Sequence, residues 1–533
     1  MNGRLRVVPL TIRVILAALM LTAPLVAYKS YFPTRAEPEK SAGPRTKESS
    51  ALEQTPAKLG LAIERAINES AFKDSRWGVS VIGLNNGQVL YSLNGDKLFT
   101  PASNMKLYTT AVALDLLGGN YRWRTSVYAD AQPDANGALK GDLVLYGRGA
   151  PDLLSETKNE NNNSLAELAN ALLQKGVREV TGNVIGDASY FRGEPIGDGW
   201  QWNDLQWYFG AEASALSINE NQVELSVAPP EKSASTPTIR TTDTTGHMTI
   251  FPRMEIVNRG ERFKLGIQRG LSDNQVQVWG HFPAGSNGYG AQLSVHDPAL
   301  WAARLFIDAL KRTGIAVAGT AQARDSKTSS TQRFEPSHSN ELAAVTSQNL
   351  FEIIKSTNKH SINLNAELIL RTLGRERGPM VSDPSGEQEP GDAETGAAII
   401  SLWLGRNGIQ TKGLAIHDGS GLSRLNLVSP ESTARLLIAI WRTNSGELFR
   451  QTLPVAATDG TLRGRLKGLE KQLSAKTGSL IYDNSLAGYV AAKNGDTFAF
   501  SIMCNDQTGP GSSVQVIDQI AELLGNYPNE GTR

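Results

Sequence analysis

Residues 100–117 read TPASNMKLYTTAVALDLL, and the fold can be worked out from what surrounds this stretch. Pro101 introduces a helix that is expected to run from about Ser103 to Leu117, where Gly118-Gly119 stops it. A spacing of three on that helix sets Lys106 one turn above Ser103 on the same face. A serine hydroxyl is a poor nucleophile near neutral pH and needs a base within hydrogen-bond reach. Lysine can be that base only if desolvation or another cation depresses its pKa. The helix N-terminus adds free backbone N–H groups and a positive dipole end, both of which favour developing negative charge.

Working outward, residues 59–72 (LGLAIERAINESAF) carry Leu, Ile and Ala at helical spacing. Residues 77–95 alternate Val79, Val81 and Val89, Tyr91 about Asn85-Asn86-Gly87, a hairpin whose turn needs positive φ. The C-terminus mirrors this with a hairpin about Asn494-Gly495 in residues 485–505, then a closing helix over 514–527. Strands at both ends of the chain point to one sheet built from the two termini and covered by helices. The middle differs: GDLVLYGRG, REVTGNVIGD, NQVELSVAP, HMTIFPRMEIV and NQVQVWGHFPAG are short strand-like runs separated by Gly, Asn, Asp and Pro. They read as one or two β-rich inserted modules, with no repeat of fixed period.

Ser-x-x-Lys alone says little, since about two matches are expected by chance in a chain this long. Ser155 with Lys158 and Ser356 with Lys359 are such matches, and an isolated one usually means an N-cap serine and a surface lysine. Ser361-Ile362-Asn363 is weaker still, because Ser92, Ser217 and Ser347 begin similar triplets. Lys476-Thr477-Gly478-Ser479 occurs once, on an expected edge strand before the C-terminal hairpin. What carries weight is the order Ser-x-x-Lys, Ser-x-Asn, Lys-Thr-Gly, the signature of active-site serine enzymes that recognise penicillin.

The bulk properties exclude other classes. At 533 residues two or three domains are expected, and 53 basic against 53 acidic side chains leave no field to attract nucleic acid. The lone Cys504 permits no intrachain disulfide. The six histidines lack metal-ligand spacing, so no metal is expected. Gly147-Arg148-Gly149 fails the dinucleotide fingerprint because Asp152 stands where the third glycine belongs. Asp418-Gly419-Ser420-Gly421 beside His417 lacks the bracketing glycines of a nucleophile elbow and reads as a turn on the substrate side. At the N-terminus, Arg4, Arg6 and Arg13 precede an uncharged run over 14–27, the order of an export signal. That run is short of the roughly twenty residues a spanning helix needs, which favours a cleaved signal over a retained anchor. Residues 28–55, rich in Pro and charge, read as a linker.

With these residues in place, the chain resembles the D-alanyl-D-alanine carboxypeptidase/endopeptidases, the DacB-like class C low-molecular-mass penicillin-binding proteins. The resemblance covers nearly all of residues 60–525. Besides the three boxes it rests on GDLVLYGRGAPDL (141–153), GDASYF (186–191), WQWNDL (200–205), YFGAEASALSINEN (208–221), NKHSINLNAELILRTLG (358–374) and DGSGLSRLN (418–426). It implies an α/β (α+β) fold: a serine β-lactamase/transpeptidase-like catalytic domain, an antiparallel sheet flanked by helices, from 56–120 plus 341–528, interrupted by a β-rich insertion over 121–340. By the same resemblance Ser103 attacks the carbonyl of the penultimate D-Ala, and Lys106 takes its proton. Ser361 relays a proton to the leaving amine, Asn363 orients the substrate amide, and Lys476 supplies a cation near Ser361 and Lys106. Lys476 would also be a reason for Lys106 to shed its proton. Thr477 and Ser479, bracketing Gly478, would bind the terminal carboxylate, with Ser479 standing where the family usually has Thr. Backbone N–H groups of Ser103 and Ser479 would form the oxyanion hole. Arg424 resembles the residue that meets a carboxylate on the stem-peptide side chain, and Asp204 the one that reaches for its amino group. Trp200 or Trp202 would line the same groove.

The implied partners are peptidoglycan stem peptides and, as covalent inhibitors, β-lactams; no cofactor is implied. The implied location is the periplasm or cell-wall space, with a peripheral membrane or wall association. Two alternatives stand beside this reading, a non-catalytic wall-binding protein and a β-lactamase-like hydrolase. The deacylating Glu-x-x-Leu-Asn of the latter is not found after the Ser-x-Asn box. The balance of carboxypeptidase and endopeptidase action, the stem diamino acid and the oligomeric state are left open by the sequence.

Overall fold

Strand β1 (Arg76–Gly83) finds its main partner at the other end of the chain. A computed structural model describes residues 56–155, 163–230, 235–328, 334–380 and 390–527; the segments read as export signal (1–27) and linker (28–55) lie outside the described residues. Besides β1, the central sheet comprises β2 (Val89–Leu93), β3 (Leu473–Leu480), β4 (Asp483–Ala491) and β5 (Thr497–Asn505). Their order is β3-β4-β5-β1-β2, all antiparallel, with β1 and β5 in register from Arg76↔Asn505 to Gly83↔Phe498.

Side-chain alternation gives this sheet two apolar faces, and each is covered by helices. Val79, Val81, Leu486, Phe500 and Ile502 face α1 (Pro56–Asn68) and α7 (Val514–Gly525) in one core cluster. Helix α1 contributes Leu59, Ile63 and Ile67, a stripe spaced for one face. Ile82, Ala487, Tyr489, Ala499 and Met503 belong to a second cluster with α2 (Met105–Leu117). Every residue of α2 from Met105 to Leu114 is buried, so this helix is the centre of the domain rather than part of its surface. Full burial of an aliphatic or aromatic side chain such as Phe500 or Ile502 contributes roughly 1.5–3 kcal/mol. Further helices of this layer include α3 (Leu350–His360), α4 (Asn363–Arg377), α5 (Asp392–Arg406) and α6 (Pro430–Trp441).

Between α2 and α3 the chain makes a second, mixed five-stranded sheet, with strand order 321–324, 184–187, 143–146, 124–129 and 340–346. The strand that leads into this region (Arg124–Ala129) pairs antiparallel with the one that leads out (Asn340–Thr346), so both crossings are tied together. The same stretch of chain also forms three small three-stranded sheets. Two helices, Ser164–Gln174 and Pro298–Thr313, stand among strands that dominated the sequence pattern. The second is capped by Asp297, which accepts from Leu300 N, and closed by Gly314 at φ 91°. Among the described residues no helix is long and apolar enough to cross a membrane.

Gly421 marks the tightest junction of the catalytic layer. Its φ is 83°, and a Cβ there would overlap the backbone carbonyl of Ala102, one residue before Ser103. Gly495, in the β4–β5 turn, has a similar φ of 91° but open space where its Cβ would stand. Both glycines answer a backbone demand; only Gly421 also answers a packing one. Gly495→Ala is therefore expected to cost about 1 kcal/mol. Gly421→Ala should cost at least about 3 kcal/mol, because the turn at Ala102–Asn104 must also move. Equilibrium denaturation of the two variants checks this, and equal losses would contradict the packing argument.

Candidate active site

Ser103 lies in a single 3₁₀ turn, Ala102–Asn104, immediately before α2 rather than as its first full residue. Lys106, in the first turn of α2, is fully buried. Its Nζ stands 3.0 Å from Ser103 Oγ, 2.6 Å from Asn363 Oδ1 and 2.7 Å from the Ser420 carbonyl oxygen. A neutral amine has two N–H donors and one lone pair. Two of its neighbours here only accept, and the third is a hydroxyl that can donate. The arrangement therefore suits uncharged Lys106, with its lone pair turned to the serine proton.

Burial is the main cause that lowers the Lys106 pKa, to about 7, while the Asp418 and Glu367 carboxylates oppose it. The sequence named two causes, desolvation or another cation, with Lys476 as the candidate cation. The structure puts dehydration first at both lysines. Lys476 is held well below the usual lysine range by its own burial and then by Lys106.

Ser361 caps the C-terminus of α3 in the left-handed region, at φ 60°. A non-glycine residue there costs about 1–2 kcal/mol, and the sharp turn it makes lets α4 begin at once with Asn363. Lys476, on edge strand β3, donates to Ser361 Oγ at 2.8 Å and to the Thr477 carbonyl at 2.8 Å. Gly478 lets β3 run against the nucleophile turn: a Cβ would lie 2.8 Å from Pro101 O and 3.0 Å from Asn104 N. Two hydroxyls of the strand are engaged, Thr477 Oγ1 with Thr461 Oγ1 at 2.8 Å and Ser479 Oγ with Asn484 Oδ1 at 2.9 Å. Ser479 donates in the second contact, so it must rotate to meet a carboxylate.

Arg424 and Asp204 sit close enough that the Arg424 charge opposes the rise of the Asp204 pKa. Burial wins there and pushes the Asp204 carboxyl up to about 6. Arg424 is already held, by Asp483 at 2.9 Å and by the Ile481 carbonyl at 2.8 Å. Trp200 donates from Nε1 to Asp418 Oδ2 at 2.9 Å and so serves the scaffold, whereas Trp202 is 62% exposed. Of the two chance Ser-x-x-Lys matches, Lys359 binds Asp459 at 2.6 Å, and Lys158 lies outside the described residues.

Several residues that shape the site were legible in the sequence only as parts of a turn or a longer motif, without a role of their own. Asp418 is fully buried and accepts from Gly421 N, Ser423 N and Asn426 Nδ2, each at 2.7 Å. Glu367 Oε1 accepts from the backbone N–H groups of Gly419 and Ser420, and its Oε2 pairs with Arg371 at 2.8 Å. These two carboxylates hold the 418–426 turn so that the Ser420 carbonyl meets Lys106. The i,i+4 spacing of Glu367 and Arg371 was the one available clue. Asn363 Nδ2 donates to the Phe209 carbonyl at 2.9 Å, a backbone contact that no sequence motif announces. Among the described residues, no three His, Cys, Asp or Glu side chains are grouped so as to hold a metal ion.

Comparison with known proteins adds three findings. The profile of the D-Ala-D-Ala carboxypeptidase 3 (S13) family matches residues 59–527. A D-alanyl-D-alanine carboxypeptidase of Actinomadura sp. (strain R39) is 31% identical over 494 residues, covering 88% of this chain and 86% of that protein. The crystal structure of penicillin binding protein 4 (dacB) from Haemophilus influenzae superposes with a TM-score of 0.74 at 24% identity, covering 89% of this chain and 99% of that one.

The lowered Lys106 pKa generates a pH prediction. The basic form accumulates as pH rises through about 7, so acylation of Ser103 by a fluorescent penicillin should climb tenfold per pH unit below that point and level off above it. Stopped-flow labelling between pH 5 and 9 tests this. A midpoint near the ordinary lysine value would remove Lys106 as the base.

Proposed function

Because the chain belongs to the D-Ala-D-Ala carboxypeptidase 3 (S13) family, we propose that its serine carboxypeptidase chemistry proceeds through an acyl-enzyme on Ser103. The observation that carries this reading is the 3.0 Å contact between Lys106 Nζ and Ser103 Oγ, with Lys106 buried and its pKa lowered.

Neutral Lys106 takes the Ser103 proton as Oγ attacks the carbonyl of the penultimate D-Ala. The charge that develops on the carbonyl oxygen meets backbone N–H groups of Ser103 and Ser479. Collapse of the tetrahedral intermediate breaks the C–N bond, and Ser361, hydrogen-bonded to Lys476, passes a proton to the departing D-Ala amine. Water then attacks the ester and releases Ser103. Thr477 and Ser479 bind the terminal carboxylate, and their position on β3 beside the nucleophile turn supports that role. The proximity of Arg424 and Asp204 supports a site for the charged groups of a stem-peptide side chain. A β-lactam enters the same sequence, but its leaving group stays tethered and the acyl-enzyme persists. Cleavage of cross-links between stems requires only that the groove accept a longer leaving amine, so endopeptidase action belongs to the same proposal. The basic then apolar N-terminal sequence supports export to the periplasm or cell-wall space, where such substrates lie.

Mass spectrometry of purified muropeptide monomers and cross-linked dimers tests the reaction. Loss of one alanine is the expected carboxypeptidase product, and conversion of dimers to monomers the endopeptidase product. Ser103→Ala should lower turnover at least about 1000-fold and abolish penicillin labelling. Labelling that persists in Ser103→Ala would move the nucleophile elsewhere.

A further inference from the structure

The run from Asp204 to Glu212 belongs to the chain between α2 and α3, yet one of its backbone atoms reaches Asn363. Asn363 is held at both ends of its amide, Oδ1 by Lys106 Nζ at 2.6 Å and Nδ2 by the Phe209 carbonyl at 2.9 Å. Amide orientation follows from the partners. A neutral amine tolerates either end of the amide, because it can donate or accept. The Phe209 carbonyl tolerates only one, because it solely accepts. It therefore decides which end of Asn363 faces Lys106, whatever the protonation state of the lysine.

That choice has chemical weight. With Oδ1 toward Lys106, the amine donates to Asn363 and to Ser420 O, and its lone pair is left for the Ser103 proton. With the amide reversed, Nδ2–H would donate into that same lone pair and compete with Ser103. One hydrogen of the correctly turned Nδ2 also remains free for substrate. We propose that the Phe209 carbonyl, fixed by Gly210 and Glu212, is a positioning element of the catalytic centre that keeps the lone pair of Lys106 available to Ser103.

The rest of the run is built to hold that carbonyl still. Tyr208–Gly210 form a 3₁₀ turn whose last N–H bonds to Trp207 O at 2.8 Å. Gly210 lies against the backbone of Asp204, where a Cβ would stand 2.8 Å from the Asp204 carbonyl carbon and overlap its oxygen. Downstream, Ala213 N bonds to Pro195 O at 2.8 Å. The Glu212 carboxylate is gripped by His296 Nδ1 at 2.6 Å and by Asp297 N at 3.3 Å. Its backbone carbonyl accepts from Asn221 Nδ2 at 2.9 Å. Glu212 and His296 thus tie the catalytic end of the run to the cap of helix Pro298–Thr313.

The proposal rests on the Ser103 mechanism above, and its test separates the two. Gly210→Ala should displace the Phe209 carbonyl directly, and Glu212→Gln should loosen its tether while keeping the shape. Each full-length variant is assayed for acylation by a fluorescent penicillin from pH 5 to 9, for kcat and KM of D-Ala release, and for thermal unfolding. Asp418 from the 418–426 turn, Glu367 from α4 and Lys476 from β3 all face Lys106 and are unchanged in both variants. The expected result is a plateau acylation rate lower by roughly tenfold, a midpoint moved below that of the wild type, and a loss in kcat that exceeds any change in KM. The midpoint falls because a reversed amide donates to the neutral amine and has nothing to accept from the ammonium. A variant that stays folded with plateau and midpoint unchanged overturns the proposal, as does a lower plateau with an unmoved midpoint. If Gly210→Ala does not fold, Glu212→Gln decides alone by the same criteria. A wild-type protein that penicillin does not label would refute the Ser103 mechanism instead.

Discussion

The burial of Lys106 is the constraint on which the catalytic layer depends. Moving a lysine from a pKa of 10.5 to about 7 removes about 5 kcal/mol of preference for the charged form. That cost has to be met by the surrounding fold, and the surroundings show where. Helix α2 is buried from Met105 to Leu114, Lys106 included, and the amine has fixed partners in Ser103, Asn363 and Ser420. Lys476 extends the pattern. It too is fully buried, and it is depressed further because Lys106 is its neighbour. Two lysines that share a dry site cannot both stay charged at ordinary cost, which makes one of them a base near neutral pH.

Two buried carboxylates limit how far this goes. Asp418 and Glu367 raise the Lys106 pKa against dehydration, while spending much of their own hydrogen-bonding capacity on the backbone of the 418–426 turn. The same atoms therefore shape a loop and tune a base. Arg371 shares the burial of Glu367, and without such a partner an isolated carboxylate would be too costly inside the domain. Gly421 belongs to the same device, since its missing side chain lets the turn touch the backbone just before Ser103.

What could be read in advance follows from the physics of each feature. The N-terminal strands were legible because Val79, Val81, Val89 and Tyr91 alternate in β1 and β2, and both hairpins were legible because Gly87 and Gly495 supply positive φ. Ser103, Lys106, Ser361, Asn363 and Lys476 were legible as an ordered set, and the structure brings all five together. The helices at 164–174 and 298–313 were hidden by the strand-like runs around them, although each carries an apolar stripe. Asp418 and Ser420 were readable only as a turn, because burial is a property of the assembled layer and not of DGSG. The Phe209 carbonyl was beyond reach altogether, since every residue has one and only its place distinguishes it.

The pairing of β1 with β5 has a consequence for biogenesis. Arg76 and Asn505 are 429 residues apart and meet in one ladder, and Ser103 stands just beyond the strands that this ladder anchors. A chain emerging N-terminus first displays Ser103 well before Ser361 and Lys476, and β1 lacks its main partner until β5 has emerged. Contacts this remote in sequence form late, after costly loop closure. The half-made protein therefore presents an unpaired apolar strand to its surroundings, which favours aggregation over reaction. Hydrolytic competence therefore waits on β5, so a product truncated or stalled before that strand is expected to be inert toward the wall.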